Sequence, residues 1–479
     1  MDADQSYVSP LAARNASAAM QQIWSARTKF TTWRRLWLVL AESQKQLGLE
    51  ITDRQITELS AAVDRPIDYE KAAEYEKKLR HDVMAHIHVL GEVAPAARPI
   101  IHLGATSQFV NCNTELIQIR DALRLVAQKL AAAIDRLARF ATIHRDLPTL
   151  AFTHFQPAQP TTVGKRASLW GQDLVLALEE IEHRIDSLRF RGAKGTTGTQ
   201  ASFLALFDGD HEKVEKLDQL VAEKMGWPVH RRFVVTGQAY PRVVDAMVGS
   251  SLAVVAAAAQ KFATDMRLLA NRKELEEPFE REQVGSSAMA YKRNPMRCER
   301  ICGLARFVIG MAQTPLVTAA EQWLERTLDD SSSRRLTLPE PFLAIDGVLD
   351  LLINVSSGIV VYEKTIRQHL AAELPFMATE NLMMAAVRRG ADRQEAHELI
   401  RHHSQAAALQ VKQEATANDL LQRLAGEAMF DGIDLGAQLD PSRYVGRAVE
   451  QVDAFLVELV EPIRERYASE LGYEPKLSV

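Results

Sequence analysis

Cysteine is scarce: three residues in 479, at Cys112, Cys298 and Cys302. An odd and sparse set excludes a disulfide framework and points to reduced thiols in the cytosol. Cys298 and Cys302 stand four apart, but neither a CxxC pair nor paired histidines accompany them, so zinc is not expected there. An excess of one charge is lacking as well. The 57 Lys and Arg against 62 Asp and Glu leave a net charge of -5, not the basic surface that nucleic acid or an anionic membrane rewards. The most lipid-like window, Ala246 to Gln260, holds 15 residues without a charge, short of the roughly twenty that span a bilayer. The first residues, MDADQSYVSPLAARNAS, match neither a basic-apolar signal peptide nor an Arg-rich, acid-poor transit sequence. The expectation is a cytoplasmic protein with no nucleic acid and no membrane as partner.

Convincing period-two strands are also scarce. Phe233-Val234-Val235 is the sort of short apolar stretch that could make a brief strand, but no βαβ alternation exists, which excludes a doubly wound nucleotide-binding fold. No internal repeat or low-complexity tract is present. Helical periodicity dominates instead. Phe30, Trp33, Leu36, Trp37, Leu40 and Ala41 lay one apolar stripe along a helix. Leu116, Ile119, Leu123, Val126, Leu130, Ile134, Leu137 and Phe140 do so over about seven turns. A third long, Ala-rich segment runs from Pro241 to about Glu276 with no internal proline. With 47% hydrophobic and 25% charged residues, the chain can bury a large core. The reading is all-α with three helical domains: 1–107, a long-helix bundle over 108–361, and 362–479.

Four breaks interrupt the helices, around residues 95–113, 147–164, 191–200 and 277–295, each rich in Gly, Pro, Thr, Ser or Asn. Long helices are scaffold, so the chemistry is sought in these breaks. The most specific is GSSAMAYKRNP, residues 285–295. It fails as a nucleophile elbow because Met289 stands where GxSxG needs glycine. No P-loop fits either: upstream of Gly164-Lys165 the required glycine is Gln159, and the glycine-rich 191–198 run has the wrong spacing. Taken alone, Ser286 could belong to a plain polar connector. His154 could cap a turn beside Pro157, and Thr106 could be an ordinary helix N-cap.

Eight stretches in order, RHDVMAH (80–86), IHLGATS (101–107), THFQPAQ (153–159), KRASLW (165–170), RGAKGTTGTQASF (191–203), GSSAMAYKRNPMR (285–297), LERTLDDSSSRR (324–335) and ELPFMATEN (373–381), are similar to those of the fumarase/aspartase superfamily. Over essentially its full length the chain resembles the adenylosuccinate lyases within it. The resemblance implies a homotetramer whose bundles form a twenty-helix core, with active sites shared between subunits. It implies β-elimination of fumarate from two succinyl-nucleotides, adenylosuccinate and succinylaminoimidazole carboxamide ribotide, with no cofactor and no metal.

That reaction needs a base for the proton beside a carboxylate, an acid for the departing nitrogen, and cations for the doubly charged intermediate. By resemblance Ser286 is the base, activated by loop amides and by Lys292, with Asn294 orienting; Gly285 lets the loop close. His154 is the acid, since imidazole titrates near neutrality. Arg80, His81 and Asp82 bind substrate, with His81 toward the phosphate. His81, Asp82, His86 and His88 are close enough in sequence to suggest a metal, but elimination has no need of a Lewis acid. Thr106 and Ser107 offer hydroxyls and amides to a carboxylate. Gln238, Arg300, Arg326, Ser331 and Arg335 match substrate-binding positions, the arginines because a planar fork pairs with carboxylate or phosphate. Arg14 opens an Arg-Tyr phosphate-binding pair whose second member here is Asn15. Cys112 replaces a usual aspartate, and Ala290 a frequent proline. These departures bear on local geometry and leave the proton-transfer groups intact. The competing readings are another fumarate-releasing lyase such as an argininosuccinate lyase, a catalytically silent helical protein, and a metal hydrolase built on the histidines.

Overall fold

The computed structural model describes residues 7–477. The outer ends of the first and third sequence-predicted domains lie outside the described residues. The fold is all-α with two minute sheets. In chain order the helices that build the site are α1 (Ala26–Gln46), α2 (Tyr69–Leu79), α3 (Asp82–Val93), α4 (Ser107–Ile143), α5 (Val163–Ser187), α6 (Val243–Asn271), α7 (Met296–Met311), α8 (Asp330–Thr337) and α9 (Pro339–Ser357). Helices α4, α5, α6, α7 and α9 pack side by side as a five-helix bundle. The longest, α4, has 37 residues and extends about 55 Å at 1.5 Å per residue. It holds together because a continuous apolar stripe from Leu116 to Phe140 is buried along it, which a helix of that length needs for stability.

The N-terminal helices lie against one end of this bundle. The α1 stripe is buried as its spacing requires, with Trp33, Leu36, Trp37 and Leu40 sealed and Ser25 capping the helix through the Thr28 amide. One hydrophobic core runs through the N-terminal helices and the bundle. A second, smaller core gathers residues of the C-terminal lobe from Ala378 to Leu435. Helices α6 and Met296–Ala320 are long and apolar enough to cross a membrane by length and composition. Their apolarity extends beyond the fifteen-residue window because they pack inside the bundle and also carry an exposed stripe. Val243, Met247, Val254 and Leu268 on α6 and Leu169 and Leu176 on α5 lie at spacings of four, seven or fourteen and remain exposed.

Buried charge ties the far end together. Lys129 on α4 lies 2.6 Å from both Asp346 and Asp350 on α9, and Tyr473 donates to Asp350 at 3.0 Å. Asp346 also accepts the Ser17 amide at 2.5 Å. Removing the lysine would strand two carboxylates, a loss of about 3–5 kcal/mol for a broken buried pair.

Two local expectations are corrected. Phe233-Val234-Val235 is not a strand; Val234 and Val235 are exposed, and only the neighbouring Arg232 makes an isolated bridge, to Phe190. The 147–164 break, in contrast, is a β-hairpin: β1 (Pro148–Thr153) pairs antiparallel with β2 (Gln156–Thr162). Pro157 and Pro160 hide it from a strand search, since proline is tolerated only at unpaired edges, and a two-stranded ribbon is all edge. The second sheet joins β3 (Leu275–Glu276) to β4 (Val360–Val361).

The histidines read as possible metal ligands pack on rings. His86 stacks on Phe30 with centroids 3.8 Å apart, and His88 stacks on Tyr75 at 5.0 Å. Burial pushes the His86 imidazole down to about 4, and Asp82 offsets this only in part. A histidine held neutral in the folded state stabilises above its unfolded pKa. That stability is lost as pH falls from 6.5 toward about 4. Equilibrium unfolding at stepped pH is expected to show this decline, and His86→Phe, which keeps the stack, is expected to make it shallower, leaving the part that comes from His102, which burial also pushes down to about 4.

Candidate active site

A cavity of about 330 Å³ opens where α2, α3, α4 and α8 meet. Seven of the residues singled out in the sequence line it: Arg80, His81, Asp82, Ser107, Arg326, Ser331 and Arg335. Six of them are placed by helix ends, and Arg326 by the segment that leads into α8. Arg80 closes α2 in a left-handed conformation (φ 54°), costly for a side chain with a Cβ and found where a site over-determines the backbone. His81 caps α3, its Nδ1 accepting the Met84 amide at 3.4 Å. Thr106 holds the N-cap position of α4, yet its side chain makes no capping bond. The helix-cap reading is therefore incomplete: the hydroxyl is left for another acceptor or donor. The preceding turn is pinned from α1, where Trp37 Nε1 donates to His102 Nδ1 and Gln44 Nε2 to the Leu103 carbonyl, both at 2.9 Å. Three N-termini, of α3, α4 and α8, thus converge through Asp82, Ser107 and Ser331, an arrangement that favours anions.

The cavity also holds residues the sequence did not reveal: Lys29, Glu76, Gln108, Asn111, Glu115 and Arg334. Five cationic side chains face three acidic ones, a surplus of two positive charges suited to a dianion. Lys29 directly precedes Phe30 in the α1 stripe, so a lysine on the border of an apolar face was the available signal. Burial lowers its ammonium pKa, with Glu115 opposing.

Behind the cavity lies a buried network. Arg334 donates through Nε to Asp245 at 2.7 Å and through Nη2 to Glu115 at 2.7 Å and to the Tyr240 hydroxyl at 2.5 Å. Burial works against its charge, but Asp245 and Glu115 outweigh that and raise its pKa. Arg242 and Arg326 both donate to Asp330, at 2.7 and 2.8 Å. Arg334 and Arg335 are adjacent in sequence but part ways on α8. The Arg334 side chain is 6% exposed, that of Arg335 65%, and Arg335 reaches Asp82 at 3.9 Å. Gln238 sits beside Arg326, its amide donating to the Glu325 carbonyl at 3.0 Å. The glycine-rich run braces that segment: a Cβ on Gly198 would sit 1.9 Å from the Thr236 carbonyl oxygen.

Neither His154 nor Ser286 lines this cavity. Ser286 lies in the loop between β3 and α7, where its Oγ accepts the amides of Ala288 at 3.3 Å and Met289 at 3.1 Å. Two amide donors on a hydroxyl oxygen favour its anionic form. Asn294 donates to the Gly285 carbonyl at 2.8 Å, and a Cβ on Gly285 would lie 2.1 Å from the Lys292 carbonyl oxygen. Glycine is required there because the two arms of the loop touch. Lys292 itself is exposed. At the foot of the loop, Arg300 on α7 has its pKa lowered by burial and by the nearby Arg14, so these two residues form a cationic pair apart from the cavity. Asn15 donates its amide to the Pro10 carbonyl at 2.9 Å and packs at Gly347 of α9; its donor is spent locally.

His154 occupies a third place, the tip of the hairpin. Thr153 pairs with Gln156, so His154 and Phe155 alone make the turn, with φ of 51° and 57°. Both central positions of such a turn normally take Asn or Gly. His-Phe is strained there, as residues at functional sites often are. The predicted site residues therefore fall into three groups: the cavity, with Thr106 and Gln238 next to lining residues but not in the lining themselves, the loop with Arg14 and Arg300, and the hairpin tip.

Residues 12–310 match the family model described as lyase, and residues 375–455 the one described as adenylosuccinate lyase C-terminus. Adenylosuccinate lyase of Schizosaccharomyces pombe is 54% identical over 455 residues, covering 94% of each chain. That of Schistosoma mansoni is 47% identical over 483 residues, covering all of both. Among solved structures, the 3-carboxy-cis,cis-muconate lactonizing enzyme of Pseudomonas putida superposes with a TM-score of 0.80 at 25% identity, over 95% of this chain and 99% of that one.

The cavity's charge surplus makes a binding experiment decisive. Inorganic phosphate is expected to raise the melting temperature with the logarithm of its concentration above Kd, a stabilisation of about 2.7 kcal/mol at a hundredfold excess. Arg80→Ala combined with Arg335→Ala is expected to remove most of that gain, as read by differential scanning fluorimetry.

Proposed function

The chain belongs to the adenylosuccinate lyase family, and from that premise we propose how its three groups of residues divide the reaction. The activity is carbon–nitrogen lysis: adenylosuccinate is split into AMP and fumarate. Succinylaminoimidazole carboxamide ribotide, with the same succinyl-amine and ribose phosphate, is the second substrate. The cationic cavity takes the anionic substrate, with Arg80, His81, Arg326, Ser331 and Arg335 as direct ligands and Thr106 and Ser107 at a succinyl carboxylate. What supports this is the convergence of three helix N-termini and a surplus of positive charge on one cavity.

Ser286, its oxygen already holding two amide donors, removes the proton from the carbon beside the carboxylate. Charge then builds as an aci-carboxylate, which Lys292 and the cavity arginines stabilise. His154 protonates the nitrogen as the C–N bond breaks. Asn294 fixes the loop from its base. Arg14, Gln238 and Arg300 complete the substrate contacts.

The distribution of the groups supports assembly. In one chain neither the acid nor the base lines the binding cavity, and the helices that run between them and it cannot bend without breaking backbone hydrogen bonds. Five bundle helices per chain and an exposed apolar stripe along α5 and α6 fit a homotetramer of twenty core helices, because exposed apolar stripes of this kind mark protein interfaces. Each site then combines groups from different subunits. A cytoplasmic location remains part of this proposal.

Incubating the protein with adenylosuccinate and following AMP and fumarate tests the reaction. Ser286→Ala and His154→Ala are each expected to lower turnover by at least about a hundredfold with the fold intact. Near-normal turnover removes that residue from the mechanism. Mixing the two inactive proteins through mild unfolding and reassembly is expected to restore activity, and persistent inactivity would refute sharing of sites.

A further inference from the structure

The hairpin turn at His154–Phe155 is uphill for two residues with a Cβ, so something outside it must hold it. The contacts lead to Glu274, which directly precedes β3. Glu274 is 1% exposed. Its Oε1 accepts from Arg272 Nε at 2.9 Å and lies 2.8 Å from His369 Nδ1. Its backbone carbonyl accepts the Tyr362 amide at 3.0 Å. The Arg272 guanidinium lies 4.7 Å from the centre of the Phe152 ring on β1, and Phe152 meets Phe155 with centroids 5.7 Å apart. Arg166 donates to the Leu150 carbonyl where the β1–β2 register shifts, and the charge of Glu274 reaches Arg166 too. Glu274 Oε2 is buried with no hydrogen-bond partner among the described residues. A buried carboxylate with an orphan oxygen is disfavoured for stability alone.

We propose that Glu274 is a positioning residue for the elimination, holding Arg272 against Phe152 and thereby fixing the hairpin tip that presents His154. This rests on the reading of His154 as the proton donor and of sites shared between subunits. Arginine carries long, flexible side-chain torsions, and a cation over a ring face keeps its place only if its other side is anchored. Glu274 and His369 supply that anchor from strand and C-terminal lobe. A displacement of about 1 Å in a proton donor is enough to lower turnover by a large factor. The same strand also touches the loop of Ser286: Glu276 accepts from Arg293 at 3.4 Å and from the Tyr362 hydroxyl at 2.7 Å. The test must therefore separate an effect on the hairpin from one on the loop.

Glu274→Gln is expected to keep the assembly and far-UV dichroism of the parent, lower kcat to roughly a tenth, and change KM little. In a cycle with Phe152→Leu, the double variant is expected to be no slower than the worse single one, because both act through one contact. Additive losses, or an unchanged kcat, overturn the proposal. Reassembly locates the effect. Glu274→Gln mixed with Ser286→Ala is expected to run several-fold above the mean of the two parents, because a sound hairpin meets a sound loop. Mixed with His154→Ala it is expected to stay at that mean. The reverse pattern assigns Glu274 to the loop and overturns the proposal. If His154→Ala and Ser286→Ala fail to complement each other, site sharing falls, and the cycle alone decides on Glu274. Arg272→Lys, which keeps the charge and loses the planar stack, takes the place of Glu274→Gln in every arm should that variant not fold.

Discussion

The guanidinium of Arg334 joins three helices at one point. Asp245 comes from α6, Glu115 from α4 and the arginine from α8, with Tyr240 closing the fourth side. Each carboxylate would be costly if buried alone, and so would the arginine. Together they lock the wall of the cavity at a definite spacing. Asp330 extends the lock to Arg242 and Arg326, so the face of α8 that carries Ser331 and Arg335 is held in one orientation. A substrate cavity rich in like charge would otherwise push its own walls apart. The buried network behind it takes up that repulsion and leaves the surplus positive charge facing inward.

The bundle imposes the second constraint. Its helices are uninterrupted because each backbone amide is satisfied four residues away, and reactive side chains accordingly sit where helices begin, end or give way to a turn. Arg80, His81, Thr106 and Ser107 are all terminal residues of helices. Ser286 lies in a loop, and His154 in a hairpin. The glycine-rich run at 191–200 belongs to the same logic without being catalytic: Gly192 exchanges two hydrogen bonds with Asn113, and Gly198 admits the Thr236 backbone. It braces the wall that carries Gln238, which explains its glycines without a phosphate.

Backbone strain occurs at several turns of the chain, and some of it falls in these places. The left-handed residues Arg80, His154 and Phe155 each stand at or beside a group assigned to substrate. Such conformations persist only where neighbours over-determine them. For Arg80 these neighbours are the ends of α2 and α3. For the hairpin they are Arg272, Arg166 and, behind them, Glu274.

What the sequence alone determined is the helical class, the position of the breaks, and seven of the residues that line the cavity. Periods of three and four report burial on one helix face, and GSSAMAYKRNP and RHDVMAH point to chemistry through their resemblance to the fumarase/aspartase superfamily. These signals are local, and so is their reach. Only the tertiary structure decided that Arg334 is buried while Arg335 meets solvent, since neighbours on a helix point about 100° apart and the packing partner chooses between them. It decided that Lys29 and Glu115 enter the cavity, that Asn15 spends its amide on Pro10, and that a proline-bearing stretch pairs as a hairpin. Each of these depends on residues far apart in the chain coming within a few ångströms, a fact that spacing along one segment does not contain.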